Sequence, residues 1–134
     1  MSRADAKTKV VYIDDSPQDL RIARDALVAA GYEVSTHVND ATADLEVLDA
    51  DIVLIDFHMP GLDGGEVLAR LRGLLSPRHR PFFYLYTSDR SLSGAYRQLG
   101  FDGQVILKGN TDALLRQLDA ARRAVALRRM RPAV

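Results

Sequence analysis

Four short and almost continuously apolar runs, each followed by a stretch of helical periodicity, dominate the pattern of the sequence. They cover residues 10–13, 52–55, 82–86 and 105–107. Such runs are typical of strands covered on both faces of a parallel sheet. A fifth segment, 33–38, alternates polar and apolar residues and predicts an edge strand. Strands that alternate with helices indicate an α/β fold, in which right-handed crossovers place helices on both faces of the sheet.

Residues that are typical of helix ends mark the boundaries of three predicted helices. Ser16 and Pro17 predict the start of the first, with an N-cap followed by proline at the first helical position. Gly31 is placed to end that helix. Asp40 is a candidate N-cap for a short second helix. The third helix is expected to end before Pro77, because the residue ahead of a proline disfavours helical geometry.

The last two helices differ in their expected strength. A fourth helix over residues 90–99 contains two serines and Gly94, and a glycine within a helix costs roughly 1 kcal/mol relative to alanine. We therefore expect this helix to be short or mobile. Asn110 or Thr111 can cap the last helix, which carries a regular apolar stripe.

The balance of charge limits the classes of function. The chain has 18 basic and 18 acidic residues, so its formal net charge is zero. Nucleic-acid or membrane binding as a dominant role usually shows an excess of charge. The absence of cysteine excludes thiol chemistry and agrees with a reducing compartment. With a polar N-terminus and no long apolar stretch, a cytoplasmic protein without a membrane span is expected.

The length bounds the domain organisation. A chain of 134 residues suffices for one domain with a core and is too short for two. We predict one domain over residues 8–127, with flexible tails at 1–7 and 128–134. The arginines near the C-terminus predict a solvated helix face, because no helix-turn-helix segment accompanies them and no DNA-binding domain is expected.

Polar residues follow every central strand of the predicted sheet. They are Asp14 and Asp15 after the first run, Asp56 after the second, Thr87 and Ser88 after the third, and Lys108 after the last. The carboxyl ends of parallel strands lie at one edge of a sheet, where ligands of such folds bind. The sequence therefore predicts a site that brings these side chains together.

The chemistry of this group indicates phosphoryl transfer. Two carboxylates 4 Å apart repel by about 4 kcal/mol at an effective dielectric constant near 20, so three of them require a cation or a raised pKa. Mg²⁺ prefers a few carboxylates together with water and phosphate oxygens. Lys108 adds a fixed positive charge and Thr87 a hydroxyl donor. A carboxylate nucleophile, a metal, an ammonium and a hydroxyl are the groups that phosphoryl transfer requires.

The run from residue 56 to residue 64, which reads DFHMPGLDG, resembles a known family. Together with the acidic pair Asp14-Asp15, Thr87-Ser88 and Lys108, it is similar to the receiver domain of two-component response regulators, of the chemotaxis type. The resemblance covers residues from about 8 to 127. It implies a flavodoxin-like, doubly wound sheet of five parallel strands in the order 2-1-3-4-5.

The resemblance also implies a role for each matching residue. Asp56 is the expected site of phosphorylation by a sensor histidine kinase. The implied holders of Mg²⁺ are the side chains of Asp15 and Asp56, which would bind it directly, Asp14, which would act mainly through water, and the backbone carbonyl of His58. The residues expected to contact the phosphoryl group are Thr87, Ser88 and Lys108. The side chains of His58 and Asp89 border the site and are candidate modulators of the lifetime of the phosphoryl group.

The function that the resemblance implies is that of a single-domain response regulator. The chain would catalyse only its own phosphorylation and dephosphorylation and would signal to a separate downstream protein. A homodimer through the face between the fourth and the last helix is a further candidate. Two alternatives stay open: a relay intermediate that passes the phosphoryl group to a histidine phosphotransfer protein, and a pseudo-receiver that acts as an interaction module without phosphorylation.

Two positions depart from the pattern of the family. Most receivers carry an aromatic residue three positions before the lysine, whose rotamer reports phosphorylation, and here that position is Val105. The lysine is normally followed by a proline in a cis peptide bond, and here Gly109 follows. Because a cis bond without proline costs about 3–4 kcal/mol, we predict a trans bond between Lys108 and Gly109.

Overall fold

The computed structural model describes residues 7–130 and contains a sheet of five parallel strands. The strands are β1 (Lys9–Ile13), β2 (Glu33–His37), β3 (Ile52–Ile55), β4 (Phe82–Thr87) and β5 (Ile106–Leu107). Their order in the sheet is β2-β1-β3-β4-β5, which confirms the predicted topology. All four pairs of neighbouring strands are parallel, so the carboxyl ends of the strands share one edge.

Among residues 7–130, four α-helices connect the strands and a fifth follows the last strand. They are α1 (Pro17–Ala29), α2 (Asp44–Val47), α3 (Gly64–Leu74), α4 (Tyr96–Leu99) and α5 (Thr111–Met130). Short 3₁₀ turns, Ala41–Ala43 and Arg90–Leu92, precede α2 and α4. The prediction of a short fourth helix is thus confirmed. Among residues 7–130, none of the helices combines the length and the apolar character needed to cross a membrane.

The helix starts follow the capping chemistry of the sequence, with one exception. Ser16 caps α1, since its side chain accepts a hydrogen bond from the backbone of Asp19. The prediction that Asp40 caps the second helix is wrong. The carboxylate of Asp40 lies 2.5 Å from Nε of Arg70, while Asn39 Oδ1 accepts a hydrogen bond from a backbone N–H of the turn. A charge-assisted bond to a guanidinium is stronger than a cap and competes successfully for the carboxylate.

Helix α5 continues beyond the predicted end of the domain. It runs to Met130, so residues 128–130, which the prediction assigned to a flexible tail, are helical in the structure. The guanidinium of Arg128 lies 4.3 Å from the centroid of the Phe82 ring, and that of Arg129 lies 2.6 Å from the carboxylate of Asp51. These contacts hold the last turn against the sheet. Residues 1–6 and 131–134, the rest of both predicted tails, lie outside the described part.

Alternate residues of the three central strands, β1, β3 and β4, belong to two separate cores. Val10 and Tyr12 of β1 face helices α1 and α5, whereas Val11 and Ile13 face α3. Every residue of β3 is fully buried, because both faces of the central strand are covered. This double coverage is why the apolar runs are continuous rather than alternating.

Strand β5 is short, and a close packing contact lies in the chain ahead of it. It pairs with only the last two residues of β4. The ring of Tyr84 packs so closely over the backbone of Gly103 that a Cβ at this position would overlap it. The chain ahead of β5 therefore passes beside a buried aromatic ring, and a residue without a side chain is required there.

Replacing Gly103 by alanine should destabilise the fold. The added methyl group overlaps the Tyr84 ring, which is only 7% exposed and has little room to move. Overpacking of this kind costs about 1–3 kcal/mol, which denaturant unfolding can measure. Gly94→Ala is a suitable control, because Gly94 lies in a turn outside the helices and a Cβ there meets no atom within 4 Å. An unchanged unfolding midpoint for Gly103→Ala would show that the ring of Tyr84 can move aside without loss of stability.

Candidate functional site

Three carboxylates meet at the carboxyl edge of the sheet. Asp14 and Asp15 follow β1, and Asp56 follows the neighbouring β3. One oxygen of each lies within 4.8 Å of the others. Asp14 is completely buried and Asp56 is 6% exposed, while Asp15 is open to solvent. The predicted cluster is therefore formed, with two of its members inside the protein and one at the mouth of the site.

Lys108 supplies the positive charge beside these carboxylates. Its Nζ lies 2.5 Å from Asp14 Oδ2, 2.9 Å from Asp19 Oδ2 and 3.4 Å from Asp56 Oδ1. Burial alone would lower the pKa of Lys108, but its hydrogen bonds to Asp14 and Asp19 outweigh this effect and raise the pKa. The lysine is thus a permanent cation, held closer to Asp14 and Asp19 than to Asp56.

Two side chains of the site, Tyr12 and Asp19, were missed by the sequence-based reasoning. The hydroxyl of Tyr12 donates a hydrogen bond of 2.5 Å to Asp14 Oδ2, the oxygen that also accepts from Lys108. Tyr12 and Asp14 are two residues apart in an extended chain, so the period of a strand places them on the same side. Asp19, in the first turn of α1, reaches Lys108 across the edge of the sheet. Only the tertiary structure reveals that contact.

The surroundings of Asp56 disfavour the charged form of its carboxyl group. Burial raises its pKa, the negative charge of Asp14 raises it further, and Lys108 offsets only part of this, so that the pKa is about 6. A buried carboxylate next to another one is stabilised by any cation that enters the site. At neutral pH Asp56 is ionised and available as a metal ligand or as a nucleophile.

The neighbouring loops complete the rim of the site. Thr87 at the end of β4 is 1% exposed, and its Oγ1 accepts a hydrogen bond from the backbone N–H of Asp89. Ser88 is exposed. Asp89 Oδ2 lies 2.7 Å from Nε2 of His58, whose side chain is 63% exposed. Hydrogen bonds from Ser91 and then from His58 lower the pKa of Asp89. The two candidate modulators are therefore in direct contact.

The two departures from the family pattern have structural consequences. The peptide bond between Lys108 and Gly109 is trans, as predicted, and Gly109 turns the chain with a φ of +95°. Val105 is partly buried and packs against the core on the α3 side. Phe101, which is 5% exposed, belongs to the same core. This face thus contains a buried aromatic ring four residues ahead of the expected position.

The residues of the cluster fit a hard divalent cation. They offer three carboxylates with oxygens close together, one of which is exposed and one of which has a raised pKa. Oxygen donors of this kind suit Mg²⁺, which keeps several waters and takes one or two carboxylates. Asp15 and Asp56 are the better placed ligands, since the carboxylate of Asp14 already accepts hydrogen bonds from Lys108 and Tyr12.

Metal affinity should depend on pH through Asp56. A carboxyl group must lose its proton to bind a cation, and the pKa of Asp56 is about 6. We expect Mg²⁺ affinity to be constant above pH 7 and to fall by about tenfold for each pH unit below 6. Calorimetric titration across this range measures the effect. The Asp56→Asn protein should bind Mg²⁺ more weakly, and its affinity should change little around pH 6. If the affinity of both proteins falls in parallel below pH 6, Asp56 is not the ligand that titrates.

Comparison with known proteins agrees with this geometry. The family model described as "Response regulator receiver domain" matches residues 10–119. The chain is 34% identical over 83 residues to the response regulator PleD of Caulobacter vibrioides and 39% identical over 71 residues to the transcriptional regulatory protein KdpE of Mycobacterium tuberculosis. These matches cover 60% and 52% of this chain but only 18% and 31% of the two relatives.

Solved structures share the fold. The chemotaxis protein CheY4 of Vibrio cholerae has a TM-score of 0.75 at 24% identity, covering 87% of this chain and 99% of that chain. The response regulator TrrA of Thermotoga maritima, in complex with Mg²⁺ and BeF, has a TM-score of 0.72 at 23% identity, covering 85% and 98%. Fold, acid cluster and family match agree, and the resemblance seen in the sequence is confirmed: this chain belongs to the response regulator receiver domain family.

Proposed function

We propose that this chain is a cytoplasmic, single-domain response regulator that accepts a phosphoryl group on Asp56 from a sensor histidine kinase in a Mg²⁺-dependent reaction. The observation that supports this best is the ion pair of 3.4 Å between Lys108 and the strained carboxylate of Asp56, inside a cluster of three acidic groups. A nucleophile, a fixed cation and a set of metal ligands meet at one point. That combination is what phosphoryl transfer demands.

Asp56 is suited to act as the nucleophile. With a pKa of about 6 it is ionised at neutral pH, and burial leaves its charge poorly solvated. One carboxylate oxygen attacks the phosphorus of a phosphohistidine on the kinase. The new phosphorus–oxygen bond forms as the phosphorus–nitrogen bond breaks, and the imidazole leaves with the bonding electron pair and takes up a proton. The product is an acyl phosphate on Asp56.

The surrounding groups stabilise the charge of the phosphoryl oxygens. Bound Mg²⁺ supplies the charge neutralisation that phosphoryl transfer needs, with Asp14, Asp15, Asp56 and the backbone carbonyl of His58 as its proposed holders. Lys108 contacts one phosphoryl oxygen after it exchanges its bonds to Asp14 and Asp19 for the new anion. Thr87 donates its hydroxyl, which at rest is an acceptor for the backbone of Asp89, and Ser88 offers its backbone N–H.

His58 and Asp89 are proposed to modulate the lifetime of the acyl phosphate. Their side chains form a hydrogen-bonded pair at the rim of the site. Separation of the pair would free the imidazole of His58 to contact a water that attacks the acyl phosphate. The phosphoryl group is thus added and removed by the chain itself, with no turnover of another substrate.

The decisive experiment is a measurement of protein mass after incubation with acetyl phosphate and Mg²⁺. We expect the native chain to gain one phosphoryl group and Asp56→Asn to gain none, because an amide cannot attack phosphorus. Removal of Mg²⁺ by EDTA should abolish the gain. Asp89→Asn is a matched control, which should still be phosphorylated because it leaves the acid cluster intact. A native chain that gains no mass from acetyl phosphate or from a phosphorylated kinase is instead a pseudo-receiver.

The output of the proposed switch is contact with a separate protein, or with a second copy through the face between α4 and α5. A relay intermediate would behave differently, since it returns its phosphoryl group to a histidine phosphotransfer protein. Incubation of the phosphorylated chain with such a protein separates the two roles. Fast transfer of the label supports the relay, and retention on Asp56 supports the terminal switch.

A further inference from the structure

A group of five basic residues lies at the end of the sheet opposite Asp56. A groove of about 460 Å³ lies beside the amino ends of β3 and β4, between the loop that precedes β4 and the last turns of α5. Its basic lining consists of Arg78, His79, Arg80, Arg128 and Arg129. A volume of this size is typical of sites for small molecules.

The acidic residues of the groove are already engaged. Asp51 accepts hydrogen bonds from Arg129, at 2.6 Å, and from the backbone of Lys9. Asp49 pairs with the ammonium of Lys9 at 2.7 Å. By contrast, Arg78, Arg80 and Arg128 have no carboxylate partner among residues 7–130. The groove therefore keeps a local excess of positive charge in a chain whose net charge is zero.

Two of the unpaired arginines are held in place by other contacts. Arg128 stacks on Phe82 and donates a hydrogen bond of 2.8 Å to the carbonyl of Arg80. The Nε of Arg80 donates to the carbonyl of Pro77 at 3.2 Å. Fixed guanidinium groups lose little entropy when they bind an anion. His79 lines the same groove and buries its Nε2 without a hydrogen-bond partner in the described part of the chain.

We propose that this groove is a binding site for a small molecule that carries a diphosphate group. Guanidinium groups bind phosphate oxygens through paired hydrogen bonds, and several of them around one concave site match an anion with more than one charge. The apolar side chains of Leu48, Pro81 and Val125 line the same groove and can cover an uncharged part of the ligand. Nucleoside diphosphates combine both features.

A small ligand fits the observations better than a nucleic acid does. The unpaired cations line one concave groove rather than a stripe along the surface. Binding of a nucleic acid along its backbone needs an extended basic surface, and the opposite end of this molecule is acidic. An extended polyanion that reached the acidic end would be repelled by its carboxylates, whereas a small anion bound in the groove would not.

Calorimetric titration with inorganic pyrophosphate, in buffer with EDTA, tests the proposal on the native chain. We expect saturable binding with one site per chain, weakened about tenfold in Arg78→Gln and in Arg128→Gln. Arg78 is exposed and its replacement leaves the contacts of the core untouched, so its effect does not depend on the stability of the Arg128 variant. Arg24→Gln, on the exposed face of α1, is the control and should bind as the native chain does.

Two further titrations identify the source of the phosphate. Tighter binding of adenosine diphosphate than of pyrophosphate supports a nucleotide ligand, and equal binding supports recognition of the diphosphate alone. The proposal is overturned if pyrophosphate does not bind at millimolar concentration, or if Arg24→Gln weakens binding as much as Arg78→Gln does. It is equally overturned if a short RNA oligonucleotide binds through these arginines and pyrophosphate does not.

Discussion

Lys108→Met is expected to lower the free energy of unfolding of the metal-free protein by about 3 kcal/mol at pH 7. The ammonium of Lys108 contacts Asp14, which is completely buried, and lies beside Asp56, which is 6% exposed. Removal of one partner of a buried ion pair leaves an uncompensated charge, whose cost exceeds the net value of the pair. The hydroxyl of Tyr12 and the backbone N–H of Ser16 would then be the remaining donors to the carboxylate of Asp14, and neither carries a compensating charge.

Denaturant unfolding with and without Mg²⁺ measures this effect. The metal supplies positive charge to the same carboxylates, so saturating Mg²⁺ should restore much of the lost stability. Lys9→Met is the matched control, because Lys9 pairs near the opposite end of the sheet with Glu46 and Asp49, whose side chains are 43% and 74% exposed. Exposed pairs contribute about 0–1 kcal/mol. An equal loss in both variants, or no recovery with Mg²⁺ in Lys108→Met, would contradict the role given to Lys108.

The strands and the acid cluster could be predicted because they depend on local pattern and on topology. Residues 52–55 form a strand of the same bounds in the structure, since a strand covered on both faces must be apolar throughout. A parallel sheet then places Asp14 and Asp56 at one edge whatever the details of packing. Both inferences need only the period of the sequence and the direction of the strands.

Contacts between distant side chains could not be predicted in the same way. The bond from Lys108 to Asp19 joins residues 89 positions apart and depends on where the first turn of α1 lies relative to the end of β5. Asp40 has the composition of an N-cap, yet it pairs with Arg70 of α3, and nothing in the local sequence favours that partner. Such choices follow from the competition of tertiary contacts with local ones.

The end of α5 shows the same limit for charged residues. Arg128 and Arg129 suggest a solvated and fraying terminus, because arginine is usually exposed. In the structure one stacks on Phe82 and the other binds Asp51, so the long side chains cover apolar surface and satisfy a carboxylate at once. Arg128 and Arg129, which lie in the last turn of α5, also line the basic groove.

Asp56→Asn is expected to stabilise the metal-free protein at pH 8 by about 2 kcal/mol while leaving its stability near pH 4 almost unchanged. The pKa of Asp56 is about 6 in the fold, above its ordinary value of 3.8. The folded chain therefore holds this proton more tightly than the unfolded chain does. The contribution of Asp56 to the free energy of unfolding is therefore most favourable below pH 4 and decreases as the pH rises through 6. Asparagine does not titrate, so the free energy of unfolding of the variant does not decrease through this group as the pH rises.

Unfolding free energies of both proteins across this range of pH give the difference directly. Asp89→Asn is the control, because hydrogen bonds from Ser91 and His58 lower the pKa of Asp89 below its ordinary value of 3.8, so its charge favours the fold and that contribution is lost only as the pH falls below about 4. That variant should be less stable than the native chain by a nearly constant amount from about pH 5 to pH 8. Saturating Mg²⁺ should reduce or reverse the advantage of Asp56→Asn, since the native cluster binds the ion with one more carboxylate. An advantage of Asp56→Asn that is constant from pH 4 to pH 8 would show that packing, and not the buried charge of Asp56, sets the difference.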